Sequence, residues 1–219
     1  MTPYERMLLV RMVEVRLREM GAELEFQKHA EAVVVGICLA LRSEDRIVTS
    51  RRTVSHEIAM GTDLVQVVAE SLGGPGSRIA ATGHAVATGI AWTMKNVWKS
   101  DGAVVYFSND LTELNGASLP LLLVCDRAPD GCGVRTHRVD GSSVAEVREV
   151  ATRMLADIRH AGCGVLEACP TGDPLLRIEE RFTDGAKRRA EAESRIRPMF
   201  DDVFARVAKD PIAEWKEDR

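Results

Sequence analysis

The sequence predicts an α/β protein built on a mostly parallel sheet with helices on both faces. Three observations predict it. Short apolar runs suited to strands alternate with segments of helical spacing along most of the chain. Ala30 to Leu41 is apolar on nearly every side, as a helix buried between other elements is. Thr82 to Val97 carries Ala85, Gly89 and Ala91, small residues that let a helix lie close on a sheet.

The elements follow in order. Thr2-Pro3-Tyr4-Glu5 has the form of a capping box with Pro at the first helical position, and Leu9, Met12, Val13, Leu17 and Met20 continue at helical spacing to an end near Gly21. The buried helix from Ala30 comes next, then a short strand over Arg46 to Ser50. Leu64, Val67, Val68 and Leu72 restore helical spacing, which Gly73-Gly74-Pro75-Gly76 stops. After the small-residue helix, Ala103 to Asp126 reads as two apolar strands joined by a short polar loop. Further strands are expected at Val134 to Val139 and Gly164 to Ala168, separated by a helix from Ser143 to Arg159. Its stripe is Val144, Val147, Val150, Met154, Leu155 and Ile158, with Ser143 and Glu146 placed for a capping box. From Asp173 the composition shifts to charged helix, with an apolar face of Ile196, Phe200, Val203, Phe204 and Val207. That face has two readings, as cover for the sheet or as a dock for a partner subunit. The organisation is thus an α/β domain over 1–172 and a C-terminal helical extension over 173–219.

Composition narrows the classes. The chain has 219 residues, with 45% apolar and 28% charged residues, enough for a sizeable core. A net charge of -4 supplies no basic footprint, so nucleic acid is not expected as a partner. The longest apolar run is too short to span a bilayer, so no membrane partner is expected. Five cysteines, Cys38, Cys125, Cys132, Cys163 and Cys169, lack any C-x-x-C pair, which favours a reduced, cytoplasmic protein over a disulfide scaffold.

Several segments, in order, resemble one family. Glu31-Ala32-Val33-Val34-Val35-Gly36 is similar to a buried Q-E-A-x-x-V-G helix, with Ala30 in place of the Gln. Val48 to Gly61, containing Arg51, Arg52, Val54 and His56, resembles S-x-Y-R-G-H-G-H-x-x-x-x-G. Gly83-His84-Ala85-Val86-Ala87-Thr88-Gly89 resembles G-I-P-x-A-T-G. Val139-Asp140-Gly141 matches a V-D-G turn, and Asp173-Pro174-Leu175-Leu176-Arg177-Ile178 matches D-P-[IL]-x-R-[LI]. These are segments of the α subunit of the E1 component of thiamine-diphosphate-dependent 2-oxo acid dehydrogenases, which the chain resembles as a shortened, degenerate member. The resemblance implies the thiamine-diphosphate-binding, transketolase-like fold. It also implies thiamine diphosphate and magnesium as cofactors and an E1 β-like subunit as partner, in an αβ or α2β2 assembly. An acyl-carrier or lipoyl domain would receive the product. The reaction implied is cleavage of a 2-oxo compound or ketose, with transfer of the acyl or ketol unit to that carrier.

The same comparison assigns the candidate site. Arg51, Arg52, Gly83, His84, Ser108 and Asn109 fall at cofactor-binding positions, and His56 at the one catalytic position retained. The family's metal motif opens with Gly-Asp-Gly and closes with Asn; here Ser108-Asn109-Asp110 and Asp126-Arg127 stand instead. Magnesium needs oxygen ligands near the diphosphate. Asp110 and Asp126 are the residues around which such a site could be rebuilt, and the other reading makes them solvated loop residues. Arg51 and Arg52 have the geometry for phosphate but equally suit a subunit contact. His56 either steadies a loop over substrate or is a packed histidine, since its partner position is Val54. Two functional readings follow: a catalytic E1 α-like subunit, and an inactive structural or regulatory subunit that stabilises its β-like partner without binding cofactor.

Overall fold

The computed structural model describes residues 1–22, 24–25, 28–50, 53–72, 83–109, 118–128 and 133–209. Its elements are α1 (Pro3–Glu19), α2 (Glu31–Cys38), β1 (Arg46–Thr49), α3 (Ser55–Met60), α4 (Leu64–Ser71), α5 (His84–Asn96), β2 (Val104–Phe107), β3 (Leu121–Cys125), β4 (Arg135–Asp140), α6 (Val144–Ala161), β5 (Gly164–Cys169), α7 (Pro174–Glu179) and α8 (Gly185–Lys209). The helix starts follow the local chemistry read in the sequence. Thr2 closes its capping box, accepting the Glu5 N–H at 3.2 Å while the Glu5 carboxylate accepts the Thr2 N–H at 2.8 Å. Ser143 accepts the Glu146 N–H to open α6, and Gly162, at φ 96°, ends that helix where a side chain would be strained. The short helices α3 and α7 were not separated out by periodicity, because six residues hold too few turns to show one.

The five strands form one sheet in the order β1-β2-β3-β5-β4, with every pairing parallel. The chain advances from β1 to β3, skips to the far edge for β4 and returns to place β5 between them. Strand β3 is buried along its whole length, as a strand covered on both faces must be. Edge strand β4 carries exposed Arg135, Thr136, His137 and Arg138, which discourage pairing with another chain.

Three apolar clusters hold the layers. Val33, Ile37, Val147 and Leu155 of α2 and α6 cover Val105, Leu122, Val124 and Leu166 on one face. Ala87, Ala91 and Met94 of α5 cover Val104, Tyr106, Leu121 and Leu123 on the other. The third cluster is mainly helical, joining α1, α2, α3, α4, α7 and α8, with Ile47 of β1 packed against it. Ile196, Phe200, Val203, Phe204 and Val207 of α8 are buried there, so within this chain the apolar face of the tail covers helices and not the sheet. The helix continues through Pro198.

A buried ion pair locks the amino-terminal edge of the sheet. Arg159 donates to both Asp45 oxygens, at 2.9 and 2.6 Å, and the same carboxylate accepts the N–H groups of Arg42 at 2.8 Å and Ala103 at 2.7 Å. Asp45 therefore ties the turn before β1 to the start of β2 and the end of α6.

No described helix is long and apolar enough to cross a membrane. The described cysteines, Cys38, Cys125, Cys163 and Cys169, form no disulfide with one another. Burial pushes the Cys38 thiol up to about 12, which removes it as a nucleophile.

Candidate functional site

Ligands of parallel α/β sheets collect outside the carboxyl ends of the strands. Here that edge is made by Thr49 at the end of β1, Phe107-Ser108-Asn109 at the end of β2, Val124-Cys125-Asp126 at the end of β3 and Ala168 in β5. With Val33 and Val34 of α2 and Ser55 and His56 of α3, these residues enclose a cavity of about 50 Å³. A larger groove of about 670 Å³ lies between α1 and α8, lined by Met12, Val15, Phe200 and Phe204 among others. It is lined also by Arg11, Arg16, Glu19, Arg189, Arg197 and Asp201 and includes no strand residue, whereas the smaller cavity sits at the strand ends.

His56 is one of the residues lining the small cavity. Its ring meets Phe107 edge-on, with centroids 4.1 Å apart at 62°. It is buried, and neither ring nitrogen has a partner among the described residues. Burial pushes its pKa down to about 4, so the imidazole is neutral near pH 7 with one donor and one acceptor unused. Beside it, the Ser55 and Thr53 hydroxyls are 2.6 Å apart, and the Glu14 carboxyl of α1 lies close to Ser55. Burial pushes Glu14 up to about 7, reinforced by the nearby charge of Glu31 and opposed by the Ser55 hydrogen bond.

Ser108 is buried in the cavity wall, whereas Asn109 and Asp126 close on each other. Asn109 Nδ2 donates to Asp126 Oδ2 at 2.6 Å, and the Asp126 N–H donates to Asn109 Oδ1 at 2.8 Å. This reciprocal pair joins β2 to β3 at the point where the resemblance expects metal ligands. It engages the Asn109 amide oxygen, and no three His, Cys, Asp or Glu side chains come together as a metal centre among the described residues. Arg51, Arg52 and Asp110 lie outside the described residues.

The remaining site candidates sit elsewhere. Gly83 and His84 open α5 on the opposite face of the sheet, where His84 faces the Tyr106 ring at 5.9 Å and meets Thr88 Oγ1 at 3.3 Å. Val54 is buried with Ile58 in the helical core, so its aliphatic side chain is a packing residue in this chain. Sequence reasoning missed Thr53, Ser55 and Glu14. The available signal was the pair of hydroxyl residues flanking Val54.

The remaining motif segments are bound together as framework. Arg11 of α1 pairs with Glu31 at 2.6 Å and with Asp173 at 2.7 and 2.9 Å, and Arg177 pairs with Asp140. Gly141 is required at its turn, since a Cβ there would stand 2.7 Å from Pro170 N and 2.8 Å from the Ala168 carbonyl oxygen. The fold and this edge define a parallel, doubly covered α/β protein with a small polar cavity at its strand ends. No protein-family model matches the chain, and no curated protein matches it either.

Proposed function

We propose that the chain is an E1 α-like subunit that joins an E1 β-like partner, in the manner of thiamine-diphosphate-dependent 2-oxo acid dehydrogenases and transketolase-type enzymes, and serves there as structural support. The reciprocal Asn109–Asp126 pair carries the choice of role. At positions where the resembled family holds magnesium, this chain spends its side chains on fastening β2 to β3. The framework contacts through Arg11 and Arg177 support the same reading, because the motif residues that persist are those that fasten helices to the sheet edge.

A second reading has His56 in its favour. A buried imidazole with unused nitrogens beside a cavity suits a chain that takes part in catalysis with its partner, cleaving a 2-oxo compound or ketose and passing the acyl or ketol unit to a carrier. Calorimetric titration of thiamine diphosphate with magnesium onto the copurified pair separates them. The structural role predicts either no binding or binding that Asn109→Ala, Asp110→Ala and Arg52→Ala leave unchanged. Loss of binding in those variants would establish the catalytic reading in its place. Failure to elute with any β-like protein in size-exclusion chromatography would sink both.

A further inference from the structure

The groove between α1 and α8 reaches the point where the described chain ends. Its lining extends along α8 from Arg189 to Ala208, one residue before that helix closes at Lys209. We propose that the segment 210–219, which lies outside the described residues, folds back into this groove and packs Trp215 against Met12, Phe200 and Phe204.

Shape comes first. Leu8, Met12 and Val15 line the groove from α1, Phe200, Phe204 and Ala208 line it from α8, and Val15 is left 47% exposed. Its volume of about 670 Å³ falls within the range of about 300–1,000 Å³ typical of ligand pockets, so an indole and an isoleucine side chain fit together. Reach comes second. Phe204 and Phe200 stand five and nine residues before Lys209, which places them about 8 and about 14 Å back along the helix. Trp215 stands six residues beyond Lys209, and an extended chain of that length spans about 20 Å. Pro211 disfavours helical backbone at Asp210, so the chain can leave the axis of α8 there and double back. Chemistry comes third. Ile212 and Trp215 are the large apolar residues that follow α8, and the groove offers them apolar side chains to cover. Arg11, Arg16 and Arg189 of the lining already pair with carboxylates, so charge neither drives the contact nor blocks it. Tethering selects the occupant. A segment joined to its site by a short linker is present at an effective concentration of about 1 mM, which a second copy or a separate protein of equal affinity would have to exceed.

The contact lies within one chain and does not rest on the subunit reading, so its test omits thiamine diphosphate and any partner. The full chain is labelled with 13C at its methionine methyl groups and studied by NMR. The expected result is a nuclear Overhauser contact between the Trp215 ring and the Met12 methyl that persists on about tenfold dilution, as an intramolecular contact does. Trp215→Ala should move the Met12 methyl resonance toward its value beside solvent. Ala205→Glu, at an exposed position of the lining, should place a charged side chain in the groove and abolish the contact. Trp215→Ala serves as the test if Ala205→Glu does not fold by circular dichroism. Absence of the Trp215–Met12 contact overturns the proposal, as does a Met12 resonance unmoved by Trp215→Ala. A contact that fades on dilution, or that appears between differently labelled copies, assigns the groove to a second copy and overturns it equally. So does a contact that survives in folded Ala205→Glu.

Discussion

Two buried groups on neighbouring elements should oppose each other in the pH dependence of stability, and single variants should unmask each. His56 has its pKa pushed from 6.5 down to about 4 by burial. Between those values the unfolded imidazole takes up a proton that the folded one refuses. Its contribution is therefore complete above 6.5 and is lost as pH falls toward 4. Glu14 is the mirror case, pushed from 4.5 up to about 7 chiefly by burial. Its carboxyl stays protonated in the folded state while the unfolded one ionises, so its contribution is complete below 4.5 and is lost as pH rises toward 7. Integrated from pH 6.5 to 4.5, each effect amounts to about 2 kcal/mol, with opposite signs. Hydrogen bonds outweigh burial and hold Asp140 and Asp173 down to about 2, so those two act below 3.8, outside the interval. Urea unfolding followed by circular dichroism at the two pH values measures the balance. The parent chain should change little. Glu14→Gln should lose about 2 kcal/mol on going from pH 6.5 to 4.5, and His56→Phe should gain about as much over the same change. Parallel pH profiles in the parent chain and both variants would refute the assignment of neutral, buried states to these groups.

Three further outcomes follow from the packing. Asp45→Ala strands Arg159 in the interior and leaves two N–H groups without their acceptor, so denaturant titration should show a loss of about 3–5 kcal/mol; adding Arg159→Met should recover part of it. Gly36→Ala would put a Cβ 2.8 Å from Val147 Cγ1 and 3.1 Å from the Val144 carbonyl oxygen, where α2 crosses α6. Overpacking of about 1–3 kcal/mol outweighs the better helix propensity, and the melting temperature should fall. Asn109→Ala removes both bonds of an exposed clamp, costing about 1 kcal/mol, and should speed hydrogen exchange at the Asp126 amide. Unchanged exchange there would show that the clamp does not form in solution.

Much of the fold was legible because its signals are local. The capping box at Thr2, the stripe of α6 and the apolar pair β2–β3 are patterns within one turn or one strand. The site was legible only in part. His56, Ser108, Asn109 and Asp126 were singled out as individual residues, but the cavity wall also needs Thr53 and Ser55, and Glu14 reaches Ser55 from a helix about 40 residues earlier. No spacing rule connects residues that meet only when α1 and α3 pack together.

By itself the sequence determined the alternation of helix and strand, the apolar character of β2 and β3 and the helix starts at Thr2 and Ser143, since such patterns depend on near neighbours in the chain. Only the tertiary structure decided that the apolar face of α8 lies on α1 and α4, that Asn109 and Asp126 satisfy each other, and that His56 stands unpaired beside a cavity. Partner choice and desolvation depend on which distant surfaces meet. These are properties of packing in space, and hydrophobic pattern leaves them open.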